Sequence, residues 1–340
     1  MKVGVLTGGG DCPGLNAAIR AVVRTGINEH CMEFIGIRDG WKGLIDGDTM
    51  PLDRDCMGGL IVKGGTILGS TPSNVFKRDI KTRDLVGGYE RLGLDALIVI
   101  GGDCTLSAAN DMSEAGANIV GIPKTIDNDI VGTERTIGFD TALHVAVEAI
   151  DRVHTTAESH HRVMIVEVMG RNAGWIAVMS GIAGGADIIL IPEKPFDINE
   201  VCGIIRKRHE RRNFTIMVVA EGAHEKGKEA ITKEEEEDAF GYHTLGGVGY
   251  WLKNEIRRIT GFDTRAIILG HTQRGGIPTV SDRILATRFG VKAVELVSEG
   301  KFGLMVGLKC DEIVTVPLKD AVKEKRVDDY WYELAEKFFG

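Results

Sequence analysis

The sequence predicts an α/β protein made of two doubly wound domains with largely parallel sheets. Three observations carry this expectation. Short runs rich in Val, Ile and Leu recur along the chain, most of them ending at Gly, Asp or Glu; the runs are continuous rather than alternating; and helix-like stretches separate them. A strand covered on both faces has no polar side to show, so unbroken apolar runs are what a parallel sheet with helices on both sides requires. With 340 residues, 43% of them hydrophobic, the chain is longer than one average domain and has apolar material for two cores.

Taken in order, the strand-like runs are Val3–Leu6, Ala96–Ile100, Ile119–Ile122, Val163–Val168, Ile188–Ile191, Ile216–Val219, Ala266–Leu269 and Ile313–Val316. The clearest helix-like stretches between them are Ala17–Ile27, Thr141–Ala157 and Asp282–Glu299. The stretch Glu225–Asp238, which holds four successive glutamates from Glu234 to Glu237, reads as a solvated surface loop. No internal repeat or low-complexity linker is visible.

Composition excludes several classes of function. A formal charge of −8 leaves no basic stripe for nucleic acid, so anions must be bound by local clusters. The six cysteines, Cys12, Cys31, Cys56, Cys104, Cys202 and Cys310, are scattered without C-x-x-C or metal-ligand spacing, as expected of reduced thiols in a cytoplasm. The chain runs from Met1 directly into the first strand-like run, and no segment has 18 consecutive apolar residues. A cytoplasmic protein, neither secreted nor membrane-spanning, is expected.

In open α/β sheets ligands bind beyond the carboxyl ends of strands. Those positions hold Gly8-Gly9-Gly10-Asp11, Gly101-Gly102-Asp103-Cys104-Thr105, Pro123-Lys124-Thr125-Ile126-Asp127-Asn128-Asp129, Met169-Gly170-Arg171, Glu221-Gly222 and Gly270-His271-Thr272-Gln273-Arg274. The first loop opens a helix and can turn backbone N–H groups towards a phosphate, although plain strand-to-helix packing explains such a turn equally well. It matches neither a dinucleotide fingerprint, because Pro13 stands where Gly is needed, nor a Walker loop, because Gly-Lys-Ser/Thr is absent. Asp103 either holds Mg²⁺ against donor phosphates or caps a helix. The second acidic loop, Asp127 to Asp129, favours the metal reading. Phosphoryl transfer needs a base, a metal and cations; Asp127, Asp103 and Arg171 fit these roles, and Arg162, Arg265 and Arg274 add charge for a phosphorylated acceptor.

These motifs, in this order, resemble the phosphofructokinase family, from Val3 to about Val316. The signals Thr-Ile-Asp-Asn-Asp and Gly-His-Thr-Gln-Arg-Gly-Gly, at residues 125–129 and 270–276, are specific to that resemblance. It implies two α/β domains with the active site in the cleft between them. Residues 1–138 plus 273–317 would bind donor phosphate and Mg²⁺, and residues 139–272 plus 318–340 would bind sugar phosphate. It further implies a 6-phosphofructokinase that phosphorylates the 1-hydroxyl of fructose 6-phosphate, usually as a homo-oligomer, a tetramer or dimer. By the resemblance Asp127 is the base, with Thr125 and Asp129 beside it, and Arg171 stabilises the transferred group. Met169, Gly170, Glu221, His271 and Arg274 resemble the sugar-binding set, while Arg162 and Arg265 resemble the pair that reaches a neighbouring subunit's 6-phosphate. Gly10 and Thr105 resemble backbone donors to the phosphoryl donor, and Asp103 the Mg²⁺ ligand.

The donor is read from departures. ATP-using relatives typically place Gly, and pyrophosphate-using relatives Asp, where this chain has Cys104; a thiol repels no nucleotide phosphate, although it takes room that Gly would leave. Lys124 is typical of pyrophosphate users, and Pro72 replaces a common arginine whose charge Lys77 would supply in part. On balance ATP is slightly favoured, with pyrophosphate as the alternative. A nicotinamide-dependent oxidoreductase and a non-catalytic subunit of the same fold are the rival readings; broken fingerprints oppose the first and the presence of Asp127 and Arg171 the second.

Overall fold

The computed structural model describes residues 1–71, 81–237, 243–245 and 247–340, with backbone only over 232–237 and 243–245. Pro72 and Lys77 lie outside the described residues. Two compact units emerge. The first is built on Met1–Thr141 with Arg274–Lys325, the second on the described residues of 142–273 with Arg326–Gly340. The sequence-based boundary after residue 317 differs from the last of these edges. The helix Leu318–Ala321 buries Leu318 and Ala321 in the first unit's core, so the chain crosses over only after Lys325.

The first unit holds a seven-stranded sheet. In chain order its strands are β1 (Lys2–Thr7), β2 (Glu33–Ile37), β3 (Thr49–Leu52), β4 (Ala96–Gly101), β5 (Ile119–Pro123), β12 (Leu304–Lys309) and β13 (Glu312–Pro317). Their spatial order is β13-β12-β5-β4-β1-β2-β3, and the pairs among β12, β5, β4, β1 and β2 are parallel. Every residue of β4 and β5 is buried, as their unbroken apolar sequences require. The edge strand β13 pairs antiparallel with β12 and is made of half-buried and exposed residues, none of them fully buried. Chain order reverses direction at β1, which has β4 on one side and β2 on the other. The loops after β1 and β4 therefore flank a topological switch point.

The second unit holds a four-stranded parallel sheet of β6 (Val163–Val168), β7 (Ile188–Leu190), β8 (Thr215–Ala220) and β11 (Thr264–Ile268), in the order β11-β6-β8-β7. The charged stretch expected to be a loop contains a strand. β9 (Thr232–Glu237) pairs antiparallel with β10 (His243–Leu245). Backbone pairing across a hairpin overrode the poor β propensity of successive glutamates. Among the described residues no helix is long and apolar enough to cross a membrane.

Helices pack on both faces. In chain order they are α1 (Leu15–His30), α2 (Trp41–Asp46), α3 (Thr82–Arg91), α4 (Asp103–Glu114), α5 (Phe139–His160), α6 (Trp175–Ala183), α7 (Ile198–His209), α8 (Val248–Thr260), α9 (Val280–Ser298), α10 (Leu318–Ala321) and α11 (Asp329–Glu336). The start of α9 is pinned by Asp282, which is 1% exposed. Its carboxylate accepts the N–H of Gly138 at 2.9 Å and both the N–H and hydroxyl of Thr141 at 2.8 and 2.5 Å. It thereby satisfies backbone donors at the start of α5 while its own N–H is capped by the Thr279 hydroxyl at 3.2 Å. Burial pushes this carboxyl up to about 6, against the three donors.

Asp282→Ala would leave those buried donors without an acceptor. We expect it to lower the urea-unfolding free energy by about 2–4 kcal/mol. A loss under about 1 kcal/mol would show that water or a neighbour replaces the carboxylate.

Candidate active site

In the first unit, parallel register brings three loops to one edge of the sheet. Thr7 is level with Ile100, and Gly101 with Pro123, so the loops after β1, β4 and β5 emerge side by side. Their backbones are stitched by Gly8 N–H to Ile100 O at 3.0 Å and Lys124 N–H to Gly101 O at 2.9 Å. Ser70 adds a hydroxyl bond to the Gly9 carbonyl.

Thr105, in the first turn of α4, is 1% exposed and packs against the glycines of both neighbouring loops. A Cβ on Gly8 would come within 2.6 Å of its methyl group. Its hydroxyl is buried without a partner among the described residues. Lys124 is 2% exposed, and its ammonium donates to the Gly10 carbonyl at 2.6 Å. Burial pulls its pKa down, with the Arg274 guanidinium acting in the same direction. Arg274 lies flat against Gly10, where a Cβ would come within 2.7 Å of its nitrogen, and donates to the Asp11 carbonyl at 3.3 Å. Two cations thus grip the carbonyl side of the glycine loop. The structure places Arg274 on this loop, in the first unit, whereas Met169 and Glu221 belong to the second.

Asp103 is the first residue of α4 and exposed, with Cys104 next to it and half-buried. Asp127 and Asp129 sit on a loop held by Asn128, whose left-handed backbone (φ 52°) turns its amide inward. Asn128 donates to the Glu134 carbonyl at 3.1 Å and accepts the Thr136 N–H at 3.1 Å. The Thr125 hydroxyl accepts the Asp127 N–H at 3.2 Å, and the Thr136 hydroxyl ties down the Thr125 carbonyl at 2.7 Å. From the C-terminal side Lys325 donates its N–H to Asp129 O at 2.7 Å and its ammonium to Thr133 O at 2.9 Å.

Asp129 keeps some residue exposure, but one carboxylate oxygen is fully covered and has no partner among the described residues. Burial is the main reason its pKa is pushed up to about 7, followed by the negative charges of Asp127, Asp103 and Glu324. The same field shows that these carboxylates share one neighbourhood. Among the described residues no three His, Cys, Asp or Glu side chains form a closed metal cage. A few hard oxygens without a cage fit Mg²⁺, which keeps waters and takes phosphate oxygens from its substrate.

In the second unit β11, β6 and β8 lie side by side, so Met169-Gly170-Arg171, Glu221-Gly222 and Gly270-His271 leave the same edge. Gly222 donates its N–H to Gly170 O at 3.2 Å, and a Cβ on Gly222 would run into the Arg171 carbonyl. Only glycine permits this approach. Arg171 lines a concavity of about 370 Å³ with Asn172, Glu193, His224, Lys228 and Arg326 among its neighbours. Arg162 and Arg265 are elsewhere, at the amino ends of β6 and β11. They flank Asp263 at 2.6 and 2.8 Å, and the Arg162 hydrogen bond holds that carboxyl below its usual range.

Sequence reasoning missed Asp282, Glu193 and Lys325. Glu193 follows the Ile188–Ile191 run, so the strand-end rule would have found it. Lys325 acts through backbone carbonyls distant in sequence and leaves no local pattern.

Comparison with known proteins gives a consistent picture. A profile described as Phosphofructokinase matches residues 2–297. A protein of Amycolatopsis methanolica named pyrophosphate–fructose 6-phosphate 1-phosphotransferase is 53% identical over the whole of both chains. An ATP-dependent 6-phosphofructokinase 3 of Streptomyces coelicolor is 50% identical over 99% of each chain. Among solved structures, Pichia pastoris phosphofructokinase in the T-state superposes with a TM-score of 0.83 at 36% identity, covering 94% of this chain and 35% of that one.

The raised Asp129 pKa has a definite sign. The folded state holds the proton more tightly than the unfolded chain, so stability falls as pH rises from 3.8 to about 7. Asp129→Asn mimics the protonated group. In metal-free protein the variant and the parent should melt together near pH 4; the variant's advantage should grow up to about pH 7 and stay level beyond. Equal thermal midpoints throughout would mean that Asp129 is ionised in the fold.

Proposed function

The chain belongs to the phosphofructokinase family, and from that footing we propose that it transfers a phosphoryl group from pyrophosphate to the 1-hydroxyl of fructose 6-phosphate, giving fructose 1,6-bisphosphate and phosphate. The observation that carries the donor is the 53% identity, end to end, with a relative named for pyrophosphate. This reverses the slight preference for ATP drawn from Cys104. The missing carboxylate removes one obstacle to a nucleotide but supplies nothing that binds it. Lys124, buried under the glycine loop with its ammonium on Gly10, gives the loop a positive charge suited to a compact, highly charged donor. ATP remains the second reading, favoured by Cys104 and by the ATP-dependent relative at 50% identity.

In this reading Asp127 takes the proton of the 1-hydroxyl as its oxygen bonds to the terminal phosphorus and the bond to the leaving phosphate breaks. Asp129 and Thr125 hold the Asp127 loop. Gly10 and Thr105 turn N–H groups to the donor, with Cys104 and Lys124 beside its phosphates. Asp103 would hold Mg²⁺, which when bound neutralises charge on those phosphates. Arg171 stabilises the transferred group; Met169, Gly170, Glu221, His271 and Arg274 bind the sugar. Arg162 and Arg265 serve the 6-phosphate of a neighbouring copy in a homo-oligomer, and Asp263 pairs with both of them in the single chain.

Initial rates of fructose 1,6-bisphosphate formation with Mg²⁺ should be higher with pyrophosphate than with ATP, and the pyrophosphate reaction should run in reverse from phosphate. Dominance of ATP would reject the donor assignment. Asp127→Ser should lower kcat by about 10²–10⁴-fold; near-normal turnover would remove Asp127 from the role of base.

A further inference from the structure

We infer that Glu193 is a positioning residue for Arg171, an inference that rests on the phosphoryl-transfer reading above. Glu193 follows β7 by way of Ile191 and Pro192, and it lines the same concavity as Arg171. It makes three short contacts with backbone donors. Gly174, the N-cap of α6, directs its N–H at both oxygens, at 3.0 and 3.1 Å. Val327 directs its N–H at the first of these oxygens, at 3.0 Å.

The geometry makes this a clamp on the Arg171 turn. Only Asn172 and Ala173 separate Arg171 from Gly174, so fixing Gly174 fixes the far end of a four-residue turn. The near end is fixed by Gly222, whose α-carbon rests against the Arg171 carbonyl so closely that no side chain fits. A Cβ on Gly174 would likewise come within 3.0 Å of the Glu193 carboxylate, so the clamp has a shape as well as a charge. The N-terminus of α6 presents unpaired N–H groups and the positive end of the helix dipole, which a carboxylate satisfies better than a neutral acceptor.

The second anchor draws in the C-terminal segment. Val327 follows Arg326, which lines the same concavity, so one carboxylate fixes the backbone beside both arginines. Lys194, adjacent to the clamp, pairs with Asp329 at 2.7 Å and holds the two segments together from the other side. Glu193 spends its lone pairs on backbone N–H groups and has no part in proton transfer. Its effect reaches the reaction through where the Arg171 guanidinium stands.

A misplacement of about 1 Å at a charge-stabilising group costs up to about 10²-fold in rate. With pyrophosphate, fructose 6-phosphate and Mg²⁺, Glu193→Ala should therefore lower kcat about 10- to 100-fold while the KM for fructose 6-phosphate stays within about threefold. Glu193→Gln, which keeps one acceptor oxygen, should recover most of the rate. The decisive readout is the double variant. Arg171→Ala with Glu193→Ala should turn over no more slowly than Arg171→Ala alone, because the clamp has nothing left to position. If Glu193→Ala does not fold, the same cycle with Glu193→Gln carries the test, since any rate it loses should vanish in the Arg171→Ala background. Losses that multiply, or a raised KM at unchanged kcat, overturn the inference while leaving Arg171 in its role. An Arg171→Ala variant with unchanged kcat overturns that role and this inference with it.

Discussion

Parallel pairing is the constraint on which both candidate sites depend. In a parallel ladder every strand delivers its carboxyl end to the same edge, so polar loops far apart in sequence become neighbours without any contact of their own to recruit them. In the first unit this applies to the loops after β1, β4 and β5, whose level register puts Thr7, Ile100 and Ile122 side by side just before those loops. In the second it applies to the loops after β6, β8 and β11. A one-residue slip in either sheet would move a loop by one residue relative to its neighbours, so the geometry of each site depends on the register of its strands.

On this frame the two units meet different electrostatic demands. The first must hold carboxylates close together, and it does so by burial and by a loop fastened through backbone bonds from Asn128, Thr136 and Lys325. Burial first, and then repulsion from Asp127 and Asp103, pushes the Asp129 pKa up, and that scaffold carries the strain. A divalent ion bound there would relieve the repulsion that the fold tolerates. The second unit instead mixes signs, with Arg171, Lys228 and Arg326 beside Glu193 and Glu229 around one concavity and Glu193 accepting the N–H groups of Gly174 and Val327.

Arginines show how placement separates residues of one type. Arg274 is spread over Gly10 and Asp11 in the first unit, Arg171 is set on a turn locked by Gly222, and Arg162 and Arg265 share Asp263 at the amino ends of their strands. Sequence alone treats all four as cations near strand ends. The structure separates them: Arg171 follows the carboxyl end of β6, whereas Arg162 and Arg265 sit at the amino ends of β6 and β11.

By itself the sequence determined the α/β class and most of the parallel strands, because continuous apolar runs are a local pattern, but it passed over β2, β3 and β12, whose shorter or more mixed runs give no such signal. It also carried the family, through the motifs at residues 125–129 and 270–276. It did not reveal the hairpin inside the glutamate-rich stretch, nor the crossing of the chain after Lys325, since both are decided by backbone pairing and packing across long separations. Only the tertiary structure showed that Asp282 stitches the start of α5 to α9, that Lys325 holds the Asp129 loop, and that Glu193 grips the turn of Arg171. Each of these is a charged side chain bonded to backbone groups of a remote segment. Such a bond is specified by where the backbone runs, which no local pattern of residue types encodes.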